Sequence, residues 1–424
     1  MEQTPKPKRI LIVRLSALGD VVNTLPALTA LRRGHPKAYI AWLVEDRVAD
    51  ILHNHPLLDE VIVFPRSKWQ QSFSLRRGRW RTLADCYQFF SALRARRFDM
   101  SIDFQGNAKS GFLTYMSGAK VRVGFDRRNS AEGNVVFTNR RVPIEDPHIV
   151  RAEKYLALAR AAGGATGPVR AILPTWPAEA ARAKALLREA GVTRRPLIVI
   201  HPGTSEFGAF KRWPPERFGQ LARRLARHWN AGILVTWGPR ERALAVKVAS
   251  AAGRSAAVSP PTQSIRELAE LIRQADLFIS ADTGPMHIAA ALGVPVVALF
   301  GPKDPVLHGP YGERTRVVRA DVDCSPCTKR SCGDVKCMRS ITPEMVMAAV
   351  EELLVSGLGF RVSGEGSGTR NQKPETRNPG RTPWKRPRRD KKCPATASSS
   401  SRPRPARKAR RSLAPSSRKS SRRA

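Results

Sequence analysis

Short apolar runs rich in branched residues recur through the first 360 residues, and amphipathic stretches separate them. Arg9–Arg14 (RILIVR) is a run of the kind buried on both faces of a parallel sheet. Ser16–Asp20 then turns the chain. Val21–Arg33 spaces Val22, Leu25, Leu28 and Leu31 at helical intervals, with Pro26 expected near the start of that helix. Further strands are predicted at 38–44, 60–64, 100–103 and 121–124, with helices at 83–97, 107–116 and 150–162. This alternation argues for a layered α/β domain.

A Gly/Pro-rich stretch from Gly163 to Pro177 interrupts the pattern, which then repeats. Strands are expected at 197–200, 232–236, 277–279 and 294–300. Helices are expected at 214–229, 239–252, 284–292 and 343–355. The reading therefore divides the chain into an N-terminal domain (1–165), a linker (166–177), a second domain (178–341), a final helix (342–358) and a tail (359–424). Two similar α/β halves imply a cleft between them, where ligands of such sheets bind. The tail is dominated by Ser, Pro, Arg, Lys and Gly. It cannot bury enough apolar area to offset chain entropy, so disorder is expected.

Charge changes the picture. The chain carries 74 Lys+Arg against 35 Asp+Glu, a net +39, of which residues 361–424 contribute +18. The foldable part is itself basic, which forecasts polyanionic company: nucleic acid, acidic lipid or a phosphorylated glycan. No apolar run approaches the roughly 18–20 residues of a membrane span. The N-terminus lacks the apolar core of a signal peptide, so a cytoplasmic setting with reduced thiols is expected.

The candidate chemistry lies in the loops that follow strands. There is no GxGxxG and no GxxxxGK[ST]. In Leu15–Asp20, Asp20 reads either as a helix cap or as a carboxylate at the cleft-facing end of a strand, free to act as a general base. Ser280–His287 (SADTGPMH) would place Thr283, Gly284 and their backbone N–H groups at a helix N-terminus, a ready anion site, with His287 in the first turns. His201–Ser205 (HPGTS) is another Gly-containing strand end. Lys211 in KRWP could pair a diphosphate or be one more solvated cation in a basic chain. Glu241 in WGPRE could accept from a ribose or simply favour a helix dipole. Such an arrangement suits a nucleotide-sugar donor held by the C-terminal half and an acceptor activated by the N-terminal half.

Residues 14–28 (RLSALGDVVNTLPAL), 103–110 (DFQGNAKS), 211–214 (KRWP) and 281–287 (ADTGPMH) resemble, in that order, motifs of the lipopolysaccharide heptosyltransferases, glycosyltransferase family 9. The resemblance covers residues 9–355. It implies a GT-B fold of two Rossmann-like domains facing a cleft, and a metal-independent, inverting transfer from ADP-heptose with no cofactor required. Residues 42–45 (WLVE) and 124–127 (GFDR) look most like the members that act on the Kdo residue of the lipid A inner core. The resemblance makes Asp20 the catalytic base. Thr204, Ser205, Lys211, Glu241, Asp282, Thr283, Gly284 and His287 become donor-binding residues. Gln105 and Lys109 are assigned to the acceptor; Asp103 either shapes the cleft or supports its loop.

Residues 66–97 interleave cations with Trp69, Phe73, Trp80 and Phe89. Arg66, Lys68, Arg76, Arg77 and Arg79 are therefore expected to meet the anionic glycolipid, Kdo-lipid A, at the cytoplasmic surface of the inner membrane. The bland reading is a solvated helix face. Cys324, Cys327, Cys332 and Cys337 are spaced like metal ligands, and read as a structural site, reduced loop-bracing thiols or a disulfide. The tail has the composition of an arm for nucleic acid or anionic membrane. The rival from another class is a basic binding scaffold that has kept the fold. A nucleotide-sugar epimerase is the second enzyme reading.

Overall fold

The computed structural model describes residues 7–74, 79–327 and 331–358, so the expected disordered tail lies outside the described residues. The first half runs β1 (Arg9–Val13), α1 (Leu18–Gly34), β2 (Tyr39–Glu45), β3 (Glu60–Phe64), α2 (Arg66–Ser74), α3 (Arg79–Ala95), β4 (Met100–Asp103), α4 (Ala108–Met116), β5 (Val121–Phe125), β6 (Arg140–Val142) and α5 (Arg151–Ala161). The second half begins with α6 (Pro177–Glu189), β7 (Leu197–His201), α7 (Pro215–Trp229), β8 (Gly232–Val235), α8 (Arg242–Ala252) and β9 (Ala257–Val258). It continues through α9 (Ile265–Arg273), β10 (Leu277–Ala281), α10 (Gly284–Ala291), β11 (Val296–Leu299), α11 (Pro305–His308), β12 (Thr315–Val318), α12 (Lys336–Arg339) and α13 (Pro343–Leu358).

Each half builds one parallel six-stranded sheet. The first has the order β3-β2-β1-β4-β5-β6, and the second β12-β11-β10-β7-β8-β9. The two orders are the same topology read from opposite edges, the doubly wound arrangement in which ligands gather where the order reverses. In the first sheet that point lies beyond the C-terminal ends of β1 and β4. In the second it lies beyond β7 and β10. Every strand end singled out for chemistry except that of β8 sits at one of these two points. The β8 end borders the second of them.

The central strands form because continuous apolar runs can be buried on both faces: β7 and β10 are buried at every residue. One core joins the halves, with Ile12, Leu25 and Leu28 from the first packed with Phe278, Ile288 and Ala289 from the second. Pro26 lies in the middle of α1 rather than near its start. An interior proline costs a helix about 3 kcal/mol; here it is buried, and so are all eleven residues from Val21 to Leu31, so packing offsets the lost hydrogen bond.

The linker is not a loose tether. Val169, Leu173 and Trp176 are buried. The Trp176 indole donates to the His53 carbonyl (2.9 Å), and its backbone N–H donates to Glu270 (3.1 Å). Further helices arise where none is expected, among them α2, α6 directly after the linker, and α9, whose Ile265, Leu268 and Ile272 share one face. The helix expected from 239 starts only at Arg242, because Arg240 adopts φ 68°, outside the helical region.

Candidate active site

Strand β1 delivers Arg14 to the reversal point of the first sheet, and the turn that follows brings back Asp20 in the first turn of α1. The helix cap is Ala17, so the capping reading of Asp20 does not hold. Its carboxylate is drawn elsewhere. Oδ2 pairs with Arg14 Nη2 at 2.7 Å, and Oδ1 with Arg151 Nη1 at 2.5 Å. The Tyr155 hydroxyl also donates to Oδ1 (3.3 Å). Burial pushes the Asp20 carboxyl up, but the two guanidiniums outweigh it and hold the group well below the usual carboxylate range. Burial, helped by the same carboxylate, pushes the Tyr155 phenol up.

Asp103 is fully buried at the end of β4 and accepts from the Gln105 and Gly106 N–H groups, the Ser110 hydroxyl and the Asn134 amide. Of the two roles expected for it, loop support is the one these contacts describe. Gln105 is likewise turned inward: its Oε1 accepts from the Leu15 (3.0 Å) and Ser16 (3.3 Å) N–H groups, bracing the turn that leads to Asp20.

Across the cleft, Lys211 closes a short 3-10 turn (Glu206–Lys211) and reaches the loop after β10. Its Nζ donates to the Asp282 carbonyl (2.8 Å) and pairs with Asp282 Oδ2 (2.9 Å). Thr283 caps α10 by position without a side-chain hydrogen bond, and Gly284 is the first helical residue. His287 is buried, and its Nδ1 finds no hydrogen-bond partner among the described residues. Burial pushes this imidazole down, against the pull of Asp282 and Asp20. An unpartnered buried polar atom costs about 1–3 kcal/mol.

The remaining donor-side candidates form one cluster. Arg212 donates to the Thr204 hydroxyl (3.1 Å) and carbonyl (2.6 Å). Glu241 accepts from the Gly238 N–H (3.0 Å) and lies 3.7 Å from both Arg212 and His201. Burial pushes Glu241 up and His201 down to about 4. Gly203 makes room for Glu241: a β-carbon there would meet Oε2 at 2.0 Å. Ser205 is exposed beside them.

On the acceptor side, buried Glu45 gathers two of the expected cations, Arg66 at 3.0 Å and Lys109. Lys68 pairs with Asp85 at 2.7 Å instead. Arg76 and Arg77 lie outside the described residues, as does the side chain of Arg79. On α3, Trp80, Leu83 and Tyr87 are exposed along one side. The residues missed from the sequence are Arg14, Arg151, Tyr155, Arg212 and His308. The His308 imidazole is pushed down to about 4 by burial, and the charges of Arg151, Asp282 and Asp20 all reach it. Arg14 opens the 14–28 motif and could have been found; Arg151, 131 residues from Asp20 in a chain full of arginine, gives no signal.

Cys327, Cys332 and Cys337 carry free thiols, so no disulfide ties them. Burial, with the neighbouring Cys324, Cys327 and Cys332, pushes Cys337 up to about 11. Among the described residues no group of three or more His, Cys, Asp or Glu side chains is arranged to hold a metal ion.

Known proteins share this sequence pattern and this fold. The model of glycosyltransferase family 9 (heptosyltransferase) matches residues 86–337. Lipopolysaccharide heptosyltransferase 1 of Pseudomonas aeruginosa is 31% identical over 372 residues, covering 82% of this chain and 98% of that protein. Its counterpart in Escherichia coli K12 is 30% identical over 317 residues, covering 74% and 93%. The solved structure of the E. coli heptosyltransferase WaaC with ADP has a TM-score of 0.65 and 28% identity, covering 81% of this chain and 99% of that one. The expected GT-B architecture is therefore the observed one, and the chain belongs to glycosyltransferase family 9, the heptosyltransferases.

Proposed function

We propose that the protein moves heptose from ADP-heptose to the Kdo residue of the lipid A inner core, with inversion at the anomeric carbon. The observation that carries this reading is the opposition of Asp20, at the reversal point of one sheet, to the Lys211–Asp282 pair and the start of α10 at the other. The acceptor hydroxyl attacks the anomeric carbon on the face opposite the diphosphate. The new C–O bond forms as the bond to the ADP oxygen breaks, and the acceptor proton passes to Asp20.

Charge develops on the departing ADP, so fixed positive groups there lower the barrier more than a covalent nucleophile would. Lys211 and the N–H groups of α10 supply them. Thr283 and Gly284 let the diphosphate approach the backbone. His287 belongs to the sugar end of this site, while Glu241, Thr204 and Ser205 hold the nucleoside end. On the acceptor side, Arg66 and Lys109, held by Glu45, face the anionic Kdo-lipid A, with Lys68 extending the basic surface. Trp80, Leu83 and Tyr87 on α3 suit a peripheral seat at the cytoplasmic surface of the inner membrane.

The test is incubation of the purified protein with ADP-heptose and Kdo-lipid A. The expected product is a glycolipid heavier by one heptose whose anomeric configuration is opposite to the donor's. No product, or retained configuration, contradicts the reading.

A further inference from the structure

We propose that Arg151 is a positioning residue that holds Asp20 until the donor binds and then passes to the donor's diphosphate, releasing Asp20 Oδ1 for the acceptor hydroxyl. This rests on the functional reading above, in which Asp20 is the base and the diphosphate sits at Lys211 and α10.

Both oxygens of Asp20 are engaged in the structure, Oδ2 by Arg14 and Oδ1 by Arg151 and Tyr155. A base so held is weak, and the oxygen it would offer is covered. One partner must give way, and the surroundings say which. Arg14 is fixed: its side chain is only 6% exposed, its Nη1 donates to the Phe104 carbonyl at 2.7 Å, and its guanidinium lies over the Tyr155 ring. Tyr155 is buried in the core. The Arg151 side chain is 36% exposed. Among the described residues its guanidinium bonds to Asp20 alone. It stands at the first position of α5 and is not among that helix's buried residues.

The donor side already acts on this guanidinium. The charge of Asp282, the residue that Lys211 grips, reaches Arg151, and Arg151, Lys211, Asp282 and Asp20 all act on His287. The contact between α1 and α10 keeps these groups within one short span: Gly19 abuts His287, and Gly284 abuts Leu18. A diphosphate carries more charge than one carboxylate and offers a guanidinium paired, parallel hydrogen bonds. It therefore outcompetes Asp20 for Arg151. Losing one of its two cations returns Asp20 toward ordinary carboxylate basicity at the moment when a donor is in place. Without a donor, the acceptor meets a masked base.

The experiment follows the Asp20 side-chain carboxyl by ¹³C NMR across pH, with and without ADP, in the wild type, Arg151→Leu and Arg151→Lys. The Asp20 signal is assigned with Asp20→Asn. In the wild type, ADP should raise the Asp20 titration by at least one pH unit. In Arg151→Leu the titration should already be raised without ADP and should not rise further, while ADP binding weakens tenfold or more by calorimetry. Arg151→Lys, which keeps the charge but not the fork, should fall between them and guards against a folding defect in the leucine variant. An Asp20 titration that ADP leaves unchanged in the wild type, or an Arg151→Leu protein that binds ADP as the wild type does, overturns the proposal. Failure of the functional reading looks different: Asp20→Asn would then keep its transferase activity whatever ADP does to the Asp20 signal.

Discussion

Gly19 and His287 touch across the two halves of the protein: a β-carbon on Gly19 would lie 2.5 Å from His287 Cδ2. The contact has a reciprocal on the same pair of helices, since a β-carbon on Gly284 would lie 2.9 Å from Leu18 Cδ2. Two glycines thus let the first turns of α1 and α10 meet, and those turns carry Asp20 and His287. Gly19→Ala should displace the imidazole or push the halves apart by a fraction of an ångström to an ångström. A misplacement of that size costs about 100-fold in rate. Steady-state kinetics should show that loss with an unchanged circular dichroism spectrum.

Among the described residues Lys211 hydrogen-bonds only to Asp282, yet its proposed work is on the leaving group. Lys211→Gln should lower kcat by about 100- to 1,000-fold, the usual cost of losing one fixed donor to developing charge. Acceptor KM, measured at saturating donor, should stay within a few-fold of wild type.

Asp103 and Gln105 form a scaffold beneath the reactive turn, and their variants should separate stability from rate. Asp103→Ala leaves several buried donors unpartnered and should cost about 3 kcal/mol by denaturant unfolding. Gln105→Ala strips the brace from the Leu15 and Ser16 N–H groups at a partly exposed position. Its stability should fall by about 1 kcal/mol, while turnover falls about tenfold.

His201 gives the stability a pH dependence whose sign is fixed. Burial holds its imidazole neutral, with the pKa down at about 4, whereas the unfolded chain takes up that proton near 6.5. Between those values the unfolded state binds more protons, so stability is complete above pH 6.5 and drains away as pH falls toward 4. The loss from this one group approaches about 3 kcal/mol. Unfolding curves at pH 7, 5.5 and 4.5 should show the decline, and His201→Gln should flatten it.

Trp80 and Tyr87 stand out from α3 with 85% and 76% exposure. Replacing both with Ser should weaken sedimentation with vesicles containing anionic lipid by about 40-fold, since each ring removes a little over 1 kcal/mol of apolar burial at the interface. The same variants should transfer heptose normally to a short, soluble Kdo acceptor.

Much of this was legible in the residues, for a physical reason. β4 falls where its apolar run begins and ends, because strands buried in a parallel sheet announce themselves by continuous hydrophobicity. Two of the edge strands did not. β6 is Arg-Arg-Val with both arginines exposed, and β9 is two residues long, so neither has a core face to betray it. The strand-end loops were legible through their glycines and polar residues. Their partners were not: Arg151 reaches Asp20, and Lys211 reaches Asp282, only because folding closes gaps of 131 and 71 residues. The acceptor-side cations illustrate the converse. Their number was plain in the sequence, but the buried carboxylate of Glu45, which decides that Arg66 and Lys109 stand together, reads in sequence as the end of a strand.

The central claim is that Asp20 takes the proton from the acceptor. The most direct measurement is the rate of heptose transfer by Asp20→Asn at saturating ADP-heptose and Kdo-lipid A, with ADP affinity measured on the same preparation. The account predicts a fall of about 1,000-fold with ADP bound at least as tightly as by the wild type, because Arg151 is then free for the diphosphate. Transfer within tenfold of the wild-type rate would contradict it.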